Sequence, residues 1–163
     1  MSVRGMFRPG MRAYLVPLVA GILLAISAFM PWVEMGDIRM AGVPDTTAVW
    51  IVALGVLAAV LAVLSLITRK NSRHPLLLIG LMALGLMFLS WRLVPRAVAD
   101  RALTRSQALA IVENRPVGSA PLAIAGSGIY LGLAAAGVIV AFGLTIVIKR
   151  VARPYVVEPD DDV

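Results

Sequence analysis

The chain alternates between long apolar runs and short polar connections. Four runs stand out, over residues 13–30, 47–68, 75–94 and 121–148. A bilayer core about 30 Å thick takes roughly 20 apolar residues at a helical rise of 1.5 Å each, so the pattern predicts four spanning helices. Three of the runs contain no charged side chain. The third carries only Arg92, near enough to its end for the guanidinium to reach outward. Pro17 falls in the first helical turn of the first run and Pro75 opens the third, positions where proline costs a helix least.

The connections differ in period. After the first run, Trp32-Val33-Glu34-Met35 alternates, Gly36-Asp37 follows, and Ile38-Arg39-Met40-Ala41 alternates again. Two short alternating stretches around a glycine-containing turn predict a β-hairpin. Asp45, Thr46 and Thr47 then offer capping groups for the second helix. After the third run, Ala97, Leu103, Ala108, Leu109 and Val112 fall among Arg96, Arg101, Arg105 and Glu113. That spacing predicts an amphipathic helix over Val98 to Glu113, read first as a solvated connector and otherwise as a helix on the outer leaflet or over the hairpin. The expected fold is an all-α membrane protein: a four-transmembrane-helix bundle with a small β-hairpin in the first outer loop and an amphipathic helix in the second. Residues 1–148 form its single domain, and 149–163 form a basic flank and a disordered acidic tail.

Composition agrees with lipid as the solvent. Of 163 residues, 60% are hydrophobic and 15% charged, more apolar surface than a soluble domain of this size can hide. The net charge of +6 does not imply nucleic acid, because the arginines flank the apolar runs. Arg4, Arg8, Arg12, Arg69, Lys70, Arg73, Lys149, Arg150 and Arg153 share one face in a four-span chain, nine of fifteen basic residues. By the positive-inside rule that face is cytoplasmic and holds both termini, as in a multi-pass protein of the bacterial inner membrane. The other face carries Arg39 and a second loop with five arginines. A cleavable signal peptide competes for the first run, with Ala25, Ser27 and Ala28 as small residues at a cleavage site. The length of the run and its Pro31-Trp32 exit favour retention. Trp32, Trp50, Trp91, Tyr14 and Tyr155 lie near segment ends and suggest an interfacial belt, which Tyr130 does not fit.

Small residues recur along the runs. Gly21 and Ala25 mark the first, Gly55 and Ala62 the second, and Gly128, Gly132 and Ala136 the fourth. In lipid, helices associate through such close contacts, here expected within the bundle rather than toward a partner. Catalytic, cofactor-binding and metal-binding residues are not identified. The cysteines needed for thiolate chemistry are absent, His74 stands alone, and Glu34, Asp37 and Asp45 read as solvated loop acids. The candidate outer recognition surface comprises Trp32, Glu34, Asp37, Arg39, Arg101 and Arg105.

The stretches "FMPWVEMGDIRMAG" (29–42) and "GSGIYLGLAAAG" (126–137) resemble small uncharacterised bacterial four-span membrane proteins, which share a Pro-Trp-Val exit from the first helix and a Gly-rich start to the last. The layout is also similar to that of claudin-like four-helix proteins. The claudin cysteine pair and Trp-Gly-Leu-Trp signature are absent, so paracellular function is not implied. The expectation is a non-enzymatic integral membrane protein without cofactor. It would act as a structural or accessory subunit whose partners are the lipid bilayer and other membrane proteins or itself. The alternative is a small oligomeric channel or transporter component.

Overall fold

The computed structural model describes residues 12–68, 73–114, 116 and 122–151. The basic N-terminal residues Arg4 and Arg8, Arg69 and Lys70 of the polar loop, and most of the acidic tail lie outside that set. The described chain is mostly helical. Its four helices are α1 (Leu15–Ser27), α2 (Thr46–Thr68), α3 (Arg73–Glu113) and α4 (Ser127–Val151). A small antiparallel sheet holds β1 (Pro31–Met35), β2 (Ile38–Ala41) and β3 (Ala123–Ala125) in the order β2-β1-β3. Helices α2, α3 and α4 are long and apolar enough to cross a membrane, whereas α1 has 13 residues.

Each helix packs beside the next in sequence, and α4 closes the ring on α1. β1 belongs to the α1–α2 connection and β3 to the α3–α4 connection, so their pairing brings both connections to one end of the ring. The opposite end is marked by Tyr14, edge-on to Phe142 with ring centroids 5.2 Å apart. Leu24, Ile51, Ala58, Leu76, Met87, Ile129 and Ile139 belong to a shared core and are almost fully enclosed.

Close approach depends on small residues. A Cβ at Gly21 would stand 2.8 Å from the Gly55 carbonyl oxygen, and one at Gly55 would be 2.7 Å from the Gly21 oxygen and the Ala25 nitrogen. α1 and α2 therefore touch backbone to backbone. Gly80 of α3 lies against Ile139 and Val140 of α4, and Gly132 of α4 faces Met87 of α3 and Ser27 of α1. Ala62 and Ala136 are fully buried. Gly85, by contrast, faces open space.

The hairpin forms where alternation predicts it. Val33, Glu34 and Met35 pair with Met40, Arg39 and Ile38. Gly36 has φ 59° and is the only glycine with a positive φ among the described residues. A positive φ at the first central position alone is the type II′ arrangement, which favours glycine first.

Four expectations are corrected. Helix α1 stops at Ser27 rather than Met30, because the amides of Ala28, Phe29 and Met30 bond three residues back and tighten the chain into a turn. Helix α3 does not end before Pro95: it continues through that proline to Glu113, so the amphipathic helix is its distal half. Proline removes one backbone bond and crowds the preceding turn, but here the far half packs on β1 and β3. Helix α4 begins at Ser127 instead of residue 121, because Ala123–Ala125 pairs with β1. A short apolar run reads alike as strand or helix until a partner is known. Finally, Trp32 and Tyr14 are buried, with 1% and 3% exposure, and do not mark a surface belt. Trp50 and Tyr130 are exposed in the opening turns of α2 and α4, at the sheet end.

Candidate functional site

Trp32 organises the sheet end. Its indole N–H donates to the Ser27 carbonyl at 2.9 Å, an oxygen at the end of α1 that also accepts from the Met30 amide at 3.3 Å. Gly42 lies against the indole face, and Gly128 lies against its edge and the Pro31 carbonyl. A side chain at either glycine would displace the ring. On its other edge β1 meets β3, next to which the Gly126 amide donates to the Trp32 carbonyl at 2.8 Å.

Alternation along the strands separates two faces. Val33, Met35 and Met40 share the face toward α3, together with Ala123 and Ala125 of β3 by register. These small β3 residues let the distal half of α3 settle over β3 and β1, while β2 stays largely uncovered. A cleft remains between β2 and α3. Its inner section, about 310 Å³, is lined by Trp32, Val33, Met40, Asp45, Val98 and Arg101, among others. The outer section, about 430 Å³, shares Met40, Val98 and Arg101, and adds Met35, Arg105 and Leu109. Arg101 and Arg105 stand one helical turn apart on the same face of α3.

The sequence-predicted surface is therefore divided. Glu34 and Arg39 are cross-strand neighbours on the face away from the cleft, with Arg39 Nε 4.0 Å from Glu34 Oε1. Asp37 is exposed at the hairpin tip. Arg101 and Arg105 line the cleft, and Trp32 forms part of its floor instead of an exposed anchor. Sequence reading missed Met35, Met40, Val98 and Leu109 as cleft residues. The alternation of β1 and β2 carried a signal for the two methionines, but not which face α3 would cover.

Chemically, the cleft offers two guanidinium groups above an apolar floor. It contains no nucleophile beside a base. Among the described residues no three His, Asp or Glu side chains gather as a metal set. The buried polar side chains Ser27, Ser65 and Ser90 donate to carbonyls of their own helices, at 2.6, 2.8 and 2.8 Å. No family model, curated protein or solved structure matches the chain.

Proposed function

We propose that the chain is an integral membrane protein crossing the bilayer four times, with both termini cytoplasmic. In this reading it serves, without catalysis, as a structural or accessory subunit contacting other membrane proteins. The observation that carries it is the distribution of side-chain size. Inward faces hold small residues such as Gly21, Gly55, Ala58 and Ala62, while Val19, Ile22, Val56, Val60, Leu81 and Phe88 point outward and are 46–54% exposed. Apolar surface on this scale is stable toward acyl chains and costly toward water. At 41 residues, α3 reaches roughly 60 Å, about twice a bilayer core, so its distal half and the sheet would stand outside as a cap.

Partner contact is supported at the cap. Ile111, Val112 and Leu122 are each 82% exposed, beyond the segment that lipid would cover. The channel alternative finds little support within one copy, since the three buried serines are satisfied on their own helices. The test places a photo-crosslinking amino acid at Ile111 or at Ile22 in cells. Protein adducts at Ile111 with lipid adducts at Ile22 support the reading. A chain released by carbonate washing defeats its membrane part. A monomer without adducts at Ile111, or solute flux through vesicles holding this protein alone, defeats its accessory part.

A further inference from the structure

The cleft between β2 and α3 carries its charges in order. Asp45 lines only the inner section, Arg101 lines both sections, and Arg105 lines only the outer one. All three residues are exposed, and none of their side chains has an ion-pair or hydrogen-bond partner among the described residues. Asp45 and Arg101 therefore border one space of about 310 Å³ without meeting each other. No acid stands three or four residues from either arginine along α3, so the like charges at 101 and 105 repel without compensation on their own helix. Met40 and Val98 line both sections. The inner section is the more polar of the two, although Trp32 and Val33 give it a buried apolar floor. Met35, Ala102 and Leu109 make the outer lining mainly apolar.

We propose that this cleft binds a dipeptide-sized ligand with a free ammonium group, an apolar side chain and two carboxylates. The ammonium group pairs with Asp45, the apolar side chain rests on Met40 and Val98, and the carboxylates reach Arg101 and Arg105. The order minus, plus, plus along the cleft is met by plus, minus, minus along the ligand. Guanidinium groups take carboxylates through paired N–H donors. A bound carboxylate also relieves the repulsion between two arginines one turn apart. Methionine suits apolar groups of varied shape, because its thioether chain is flexible and polarizable. Sections of about 310 and 430 Å³ stand at the lower end of the range for ligand pockets, which favours a small molecule over a folded partner. The sheet, the residue before α2 and the distal half of α3 supply all of these groups, so the site does not depend on what surrounds the ring.

The test titrates full-length protein in neutral detergent by isothermal calorimetry. The probe is the dipeptide Leu-Glu. It is set against N-acetyl-Leu-Glu, Leu-Gln amide and Gly-Glu, which lack in turn the ammonium group, the carboxylates and the apolar side chain. One Leu-Glu per chain is expected, with each of the other three binding about fivefold or more weakly. Asp45→Asn should lower the affinity for Leu-Glu to that of the acetylated peptide and leave binding of the acetylated peptide unchanged. R101Q/R105Q should weaken Leu-Glu about tenfold and leave Leu-Gln amide unchanged. The R92Q/R96Q protein loses the same charge from α3 outside the cleft and should keep its affinity. Absence of saturation by about 10 mM Leu-Glu, equal binding of the four peptides, or equal losses in the two double variants would overturn the proposal. So would an Asp45→Asn protein that loses the acetylated peptide as strongly as the free one. The comparison among peptides uses the unaltered protein, so it decides the matter even where a variant fails to fold.

Discussion

The helical ring and the cap at its sheet end are held together by opposite means. In the ring, small residues bring backbones into contact, as at Gly21 and Gly55, while large side chains such as Leu24, Ile51 and Met87 fill the interior and others such as Val19 and Phe88 face outward. In the cap a single large side chain, Trp32, lies between Gly42 and Gly128 and is tied to the end of α1. In the membrane reading proposed above, lipid gives helices no hydrophobic reward for pairing, so the ring would depend on shape and close approach. The cap would stand where water competes, so that burial of an aromatic side chain would carry more of its stability.

The largest expected effect belongs to the cap. Trp32→Ala should destabilise the protein by about 3–5 kcal/mol, as for other buried aromatic truncations, measured by reversible unfolding in detergent. A loss below about 1 kcal/mol would remove Trp32 from its central position. In the ring, Gly21→Leu should cost roughly 1–3 kcal/mol through overpacking against the α2 backbone. The matched Gly85→Leu, which meets open space, should be neutral or gain up to about 1 kcal/mol of helix propensity. Equal outcomes for the two glycines would contradict close packing as the basis of the ring. A Gly21→Leu protein that stays folded and loses only self-association would instead make that stripe a partner face.

Trp32→Phe keeps most of the apolar burial and loses the bond to Ser27, so a cost of about 1 kcal/mol is expected beyond that of the smaller ring. Comparing it with the alanine variant separates burial from hydrogen bonding in the cap. The smallest effect is at the hairpin surface. Glu34→Gln should change stability by no more than about 0.5 kcal/mol, because the Arg39 side chain is 73% exposed and the pair is screened. A thermal melt showing a larger change would mean that the far face of the sheet is supported by more than solvent.

The sequence by itself determined the features that depend on local chemistry. Long apolar runs mark α2 and the first half of α3, and alternation around Gly36-Asp37 marks the hairpin, because these periods reside in contiguous residues. The stripes at Gly21, Gly55 and Gly132 were visible as spacing, but not which helix each would meet. Only the tertiary structure decided that Ala123–Ala125 is a strand, since its conformation depends on β1, about ninety residues away. The same holds for Pro95, where packing of the distal helix on the sheet opposes the local tendency to stop. Trp32 shows the difference most plainly. Beside Pro31 at the end of an apolar run it reads as an interfacial anchor, yet glycines from two distant segments leave a space of its size. Burial is set by what surrounds a side chain, and those neighbours come from parts of the chain that local pattern does not connect.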